Sequence, residues 1–270
     1  YSTDRRIQLE KTISCLKDMK YYDKCQKVLV VDGKPNEIID DFDIISVPRI
    51  DGKFSWANMW AAGVGVARYP VILYLDSDRL LPRNYLELVL ENIKDDTFVF
   101  TSLHFMVLSD ISIEDCKLFL NSPLDSVLYE EQFVGKLEFE PRFCNPVNGP
   151  GKNVMSGNTA FTRKTFLELG GVDPWYCGHG AYADTDFHRQ AAQAGCQFID
   201  LKTTELHYHH TKLSEHKTEL DNNTLFRLGL DNFIYYSIKW NIPLTVAENL
   251  AFGCSIINPQ TYVSDRVKAI

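Results

Sequence analysis

The sequence predicts an open, mostly parallel α/β sheet with helices on both sides. Two observations carry that prediction. Short apolar runs alternate with stretches of helical periodicity, the sign of βαβ units. Aspartates close two of those runs, Asp32 and Asp76, and ligands of parallel sheets bind at the strands' carboxyl ends.

The elements follow in order. Leu9, Ile13, Leu16 and Met19 recur at helical spacing, so Ile7 to Met19 reads as a helix. Val28 to Val31 reads as a buried strand stopped by the turn residues Asp32-Gly33-Lys34-Pro35. Ile44 to Val47 is a second short strand. Trp56 to Ala67 is a helix whose Ala61, Ala62 and Gly63 permit close packing. Val71 to Leu75 is the third strand, and Asp76-Ser77-Asp78 follows it at once. Pro82 suits the start of a helix from Tyr85 to Ile93, where its missing N–H is no loss. Phe98 to Leu103 reads as a further strand. From Glu114 to Lys152 prolines and polar clusters predict irregular chain or short helices, of the kind that surrounds a substrate. Regularity returns with Asn158 to Phe161, a helix from Lys164 to Leu169 ended by Gly170-Gly171, and a helix from Asp184 to Ala194. Leu225 to Trp240 reads as an amphipathic helix. The predicted organisation is one catalytic domain over 1–215 with a helical extension over 216–270.

Composition bounds the function. At 270 residues, 45% of them hydrophobic, the chain can build a full core. A net charge of −8 and a pI near 5.4 lack the basic face of a general nucleic-acid binder. The apolar runs are short of a membrane span, and the opening residues are not expected to act as a signal peptide. Seven scattered cysteines form no CxxC pair, so neither a zinc ribbon nor a disulfide framework is indicated. Reduced thiols in a cytoplasm-like compartment are the expectation, with recruitment to a membrane-bound assembly through a partner left open.

Asp76 and Asp78 carry the chemistry. Along a strand alternate side chains share a face, so the two carboxylates are expected to project together. Like charges that close resist joint ionisation unless a cation lies between them. Hard divalent ions take one or two carboxylates and complete their shell with water and substrate phosphates. A metal–diphosphate site is the reading, with a strand-capping turn as the plainer use of the same residues.

Three blocks resemble inverting GT-A glycosyltransferases of the family-2 type, including chondroitin-type polymerases and, more distantly, β-1,4-galactosyltransferases. The first runs from Phe54-Ser55-Trp56-Ala57-Asn58 through Tyr69-Pro70 to Asp76-Ser77-Asp78 and Pro82-Arg83-Asn84-Tyr85-Leu86. The second is Met155-Ser156-Gly157-Asn158-Thr159-Ala160-Phe161, continuing through Gly170-Gly171-Val172-Asp173 to Ala183-Asp184-Thr185-Asp186-Phe187. The third is Leu206-His207-Tyr208-His209-His210.

The resemblance implies a GT-A fold that transfers a sugar with inversion from a nucleotide-sugar, UDP-linked by preference, to a hydroxyl of a glycan acceptor. It implies Mn²⁺ or Mg²⁺ at Asp76 and Asp78, with Asp78 the direct ligand and Asp76 facing the ribose or a metal-bound water. One histidine would complete the site, His209 by preference over His207 and His210. Asp184 would be the general base, with Asp186 in reserve. Asp32, Thr3 and Arg5 would contact the nucleotide, and Ser156, Gly157 and Asn158 would line the sugar pocket. Asn58 and Trp60 lie on the helix facing the donor, Trp60 more in keeping with the core. Trp175, Tyr176 and Tyr182 would stack on acceptor sugars or pack internally. Donor is expected to bind before acceptor, with closure of a loop near 142–153 or 175–182.

Two departures stand out. Ala183 replaces a usual glutamate, which leaves the acceptor's identity open. The family also places a buried strand ahead of the segment that Tyr1 to Arg5 resembles, so that strand is expected from upstream sequence, a substitute segment or another chain; homo-oligomerisation stays open. Other readings are a non-catalytic glycan- or nucleotide-sugar-binding scaffold, a sugar nucleotidyltransferase, and a hydrolase built on the histidines. The nucleotidyltransferase lacks a Gly-rich basic phosphate loop.

Overall fold

The computed structural model describes residues 6–33, 39–49, 55–108, 111–122, 133, 136–139, 157–176, 182–208, 231–232 and 234–242. The predicted helix and strand order appears in them. Helix α1 (Arg6–Lys17) precedes β1 (Val28–Asp32) and β2 (Asp43–Val47), which pair in parallel. Helix α2 (Trp56–Val66) leads into β3 (Val71–Leu75). Its start is fixed by Ser55, whose hydroxyl accepts the Asn58 backbone N–H.

After β3 come a two-residue strand β4 (Arg79–Leu80), α3 (Tyr85–Asn92), β5 (Thr97–Phe100), β6 (Leu103–Val107) and α4 (Ile113–Asn121). Then follow β7 (Leu137–Phe139), β8 (Asn158–Thr162), α5 (Arg163–Glu168), α6 (Ala183–Gln193), β9 (Gln197–Asp200) and β10 (Thr204–Tyr208). The boundary expected at 215–216 lies outside the described residues.

The strands form three groups among the described residues: β1-β2, β3-β8-β5-β9 and β4-β10-β6-β7. The pairings are mixed. β1-β2, β5-β9 and β6-β10 are parallel, whereas β8 runs antiparallel to both β3 and β5. β8 is an antiparallel insertion between strands that would otherwise be neighbours of one sense, so the sheet is less uniformly parallel than alternation alone suggests.

The single strand expected from Phe98 to Leu103 is broken in two. Ser102 N–H donates to Asp200 Oδ1 at 3.1 Å and Thr101 Oγ1 donates to the Thr203 carbonyl. These bonds turn the chain from the β5-β9 pair into the β6-β10 pair, so one parallel strand pair serves two sheets. That turn carries β10 back across the end of β3.

An aromatic core holds the α2–β3–β8–α6 sandwich together. Trp60 stacks on Tyr74 at 4.0 Å and on Phe161 at 5.7 Å, and Phe98 and Phe187 meet edge to face at 5.7 Å. Such pairs contribute about 0.5–1.5 kcal/mol each beyond their buried area. Gly63 of α2 lies against Val30 of β1, where an added Cβ would sit 3.3 Å from a Val30 methyl. Cys15, Cys25, Cys116 and Cys196 form no disulfide. No helix among the described residues is long and apolar enough to cross a membrane.

Candidate active site

Four chain segments meet where β3 ends. β3 stops at Leu75, and Asp76 to Asp78 form a turn closed by the Arg79 N–H on the Asp76 carbonyl at 3.3 Å. Strand alternation therefore does not govern the two aspartates, and they differ sharply in exposure. Asp76 is half-buried, whereas Asp78 is 1% exposed.

β8 runs beside β3 with Asn158 opposite Leu75. That register brings the Gly157 carbonyl to the Asp76 N–H at 2.8 Å. β10 arrives from the other side: Tyr208 N–H donates to the Asp78 carbonyl at 3.1 Å, and His207 Nε2 lies 3.6 Å from Asp78 Oδ2. The predicted carboxylates, Gly157 and a histidine of the third block are thus joined by direct contacts.

Tyr74 connects this group to α6. Two residues before Asp76 on the same strand, it donates its hydroxyl to Asp76 Oδ1. Burial, the charge of Asp76 and that hydrogen bond, and the charge of Asp184 raise the phenol's pKa well above its ordinary value. Asp184 itself is half-buried in the first turn of α6, with Oδ1 accepting the Thr185 N–H at 2.8 Å. Carboxylates at a helix start are favoured by the helix dipole. Tyr74 had no motif of its own in the sequence; its position two residues upstream on the strand was the available signal.

The surroundings of Asp78 hold a second group that the sequence did not reveal. Arg79 is 3% exposed and donates through Nη1 to Glu205 Oε1 at 3.0 Å; Glu205 is itself 1% exposed. His104 of β6 is fully buried against both, its Nδ1 2.7 Å from Arg79 Nη1 and in contact with Glu205 Oε1. Arg79 Nε lies 4.0 Å from Asp78 Oδ1. Burial and the Arg79 charge push the His207 imidazole down to about 3, with Asp78 pulling the other way. The ring is therefore neutral at physiological pH, the form that can ligate a metal.

Several expectations need correction. Asp186, the reserve base, is fully buried and tied to the carboxy-terminal segment by Lys239 Nζ at 2.8 Å and Trp240 Nε1 at 2.6 Å. Burial raises its pKa, offset in part by Lys239. Its role is to anchor residues 231–242, alongside Asp173, which accepts from Lys239 and Tyr235. Tyr176 and Tyr182 are buried in the aromatic core and present no face to a sugar; Trp175 stacks on Tyr235 at 4.0 Å. Trp60 is core, as its type suggested.

Asp32 does end β1, and its Oδ2 is held by Arg49 at 2.9 Å from Nε. Asn58 lies half-buried in the first turn of α2, whose Trp56 and Trp60 flank Tyr74. Thr3, Arg5, Ser156, His209, His210 and the segments 142–153 and 177–181 lie outside the described residues.

Among the described residues no three His, Cys, Asp or Glu side chains form a ready-made metal cage. A cage is not what a diphosphate-bound Mg²⁺ or Mn²⁺ requires, because such ions take one or two carboxylates and draw the rest from water and phosphate. Asp76 and Asp78 offer carboxylates of that kind, with the neutral His207 beside Asp78. The residues fit the ion.

Comparison with known proteins agrees with this architecture. Residues 5–111 match the family described as glycosyl transferase family 2. Among solved structures, GalNAc-T7 with UDP, GalNAc and Mn²⁺ superposes with a TM-score of 0.54 at 13% identity, over 92% of this chain and 52% of that one. S. aureus TarS 1–349 in complex with UDP-GlcNAc gives 0.53 at 8% identity, over 93% and 68%. S. aureus TarS 1–349 gives 0.55 at 9% identity, over 97% and 74%. The chain thus spans about half the length of the first of these structures. No curated protein matches it in sequence.

The fold is that of GT-A glycosyltransferases. The family match covers the segment from α1 through β6, which contains Asp32, Asp76 and Asp78.

Proposed function

We propose that this domain transfers a sugar, with inversion, from a UDP-linked donor to a hydroxyl of a glycan acceptor, with Mn²⁺ or Mg²⁺ at the donor diphosphate. The observation that carries the proposal is the convergence of Asp76, Asp78, Gly157 and His207 at the end of β3, linked through Tyr74 to Asp184. The printed ligands of similar structures, UDP with Mn²⁺ in one and UDP-GlcNAc in another, support a nucleotide-sugar donor.

In this reading Asp76 and Asp78 would hold the cation, with His207 beside Asp78, and the cation would neutralise charge on the departing diphosphate. Tyr74 fixes the Asp76 carboxylate through its hydroxyl, and Gly157 fixes its backbone. Asp184 takes the proton from the acceptor hydroxyl as that oxygen attacks the anomeric carbon. Asp186 has no part in the proton transfer, because Lys239 and Trp240 occupy it. The described carboxy-terminal residues brace α6 through Lys239 and Trp240.

The test is nucleotide release from a panel of UDP- and GDP-sugars, with and without Mn²⁺, in the presence of glycan acceptors. Mn²⁺-dependent UDP release accompanied by a glycosylated product supports the proposal. Metal-dependent UDP-sugar binding with no product from any acceptor supports a binding scaffold instead.

A further inference from the structure

Arg79 follows the second aspartate directly and is deeply buried, an unusual place for a guanidinium. Three features show that its position is built rather than incidental. Its Nη1 is bonded to Glu205 of β10 and touches His104 of β6, both themselves buried. Its guanidinium lies beneath Gly157, where an added Cβ would come 2.5 Å from Cζ and 2.7 Å from Nη2. Gly157 has φ +110°, so both its conformation and its missing side chain serve that approach. Finally, Arg79 Nε is buried, makes no hydrogen bond to any described group, and lies 4.0 Å from Asp78 Oδ1.

We infer that Arg79 is a positioning residue for the metal–diphosphate site: clamped from behind by Glu205 and His104, it aims Asp78 and, through Gly157, Asp76. The inference rests on the function proposed above and extends it to a residue outside the Asp-x-Asp motif. Charge accounting shows why a fixed cation is needed there. Asp78 and Glu205 are two carboxylates removed from water that both border the Arg79 guanidinium, and without Arg79 two negative charges would be buried without that cation. Bonded to Glu205 through Nη1, Arg79 keeps its Nε 4.0 Å from Asp78 Oδ1. The other oxygen, Oδ2, is thereby presented on the His207 side, 3.6 Å from Nε2. Gly157, whose Cα side lies against the same guanidinium, receives the Asp76 N–H on its carbonyl. One buried side chain thus sets both carboxylates.

The experiment measures UDP affinity by calorimetry, with and without saturating Mn²⁺, together with thermal unfolding. The variants are Arg79→Lys, the double variant Arg79→Met/Glu205→Gln, Asp78→Ala, and Arg79→Lys combined with Asp78→Ala. The double variant removes the buried ion pair as a unit, so a merely structural role predicts wild-type affinity once the fold is kept. The inference predicts that it unfolds near the wild-type temperature yet binds UDP with Mn²⁺ at least about tenfold more weakly, the size expected for losing a group that orients a ligand. Metal-free UDP binding should stay unchanged. Arg79→Lys keeps the charge and loses the Nε–H, and should show the same weakening.

On the Asp78→Ala background, Arg79→Lys should add no further loss, because the arginine acts through that carboxylate. Wild-type Mn²⁺-dependent affinity in folded Arg79→Lys or in the double variant would overturn the inference, as would a further loss on the Asp78→Ala background. A wild-type protein whose UDP binding ignores Mn²⁺ would overturn the functional reading itself.

Discussion

The chain spells Asp-x-Asp twice, as Asp76-Ser77-Asp78 after β3 and as Asp184-Thr185-Asp186 at the start of α6. In each pair one carboxylate is half-buried near Tyr74 and the other is removed from water beside a cation. The backbone decides which is which. On a helix two residues subtend roughly 200°, so Asp184 and Asp186 point to opposite sides. Asp186 faces Lys239 and Trp240, whereas the charge of Asp184 acts on Tyr74. After β3 the chain turns, and Asp78 drops beneath Asp76 onto Arg79 and His207. Identical spelling thus gives one half-buried and one fully buried carboxylate in both places, by different geometry.

The sharpest way to break this comparison is to neutralise the two aspartates of α6 separately. Asp184→Asn should retain UDP-sugar binding and lose transfer by about 10²–10⁴-fold, the usual worth of a positioned base. Normal transfer by that variant removes Asp184 from the role.

His188, a residue that α6 buries two positions after Asp186, sharpens the picture through pH. Burial among Phe98, Phe187 and Phe198 pushes its pKa from 6.5 to about 4. The folded state therefore favours the neutral ring. Its contribution is complete above the unfolded value and is lost as pH falls from about 6.5 towards 4. The shift corresponds to roughly 3 kcal/mol of stability at neutral pH relative to acid. Chemical denaturation across that window should show the loss, and His188→Leu should flatten it.

Asp186→Ala should behave as a stability variant. It breaks a buried pair, and the expected cost is about 2–3 kcal/mol, below the ~3–5 of a fully buried pair because Lys239 keeps some exposure and retains Asp173. Thermal unfolding measures it. A loss of transfer with unchanged stability would reverse the assignments of the two α6 aspartates. The smallest expected effect is that of Tyr74→Phe, which removes the hydroxyl donor to Asp76 and should weaken Mn²⁺-dependent UDP binding about tenfold.

Local pattern made much of this legible. The apolar run before Asp76 marked β3, small residues marked α2, and the Gly170-Gly171 pair marked the end of α5. The α/β class, the order of the motif blocks and the place of Asp184 at a helix start all followed from short-range rules. What escaped depends on partners far apart in the chain. Arg79 meets Glu205 across 126 residues, and Asp186 finds Lys239 across 53. No periodicity encodes such contacts. The break between β5 and β6 escaped for the same reason, because Asp200 and Thr203 impose it on Thr101 and Ser102 from across the sheet.

The central claim is that a divalent cation at Asp76 and Asp78 joins the donor's diphosphate to the protein. Titrating UDP into wild type and Asp78→Ala, each with and without Mn²⁺, tests it most directly. The account predicts that Mn²⁺ strengthens UDP binding at least about tenfold in the wild type and has no effect in the folded variant. Equal UDP affinity with and without Mn²⁺ in the wild type would contradict it.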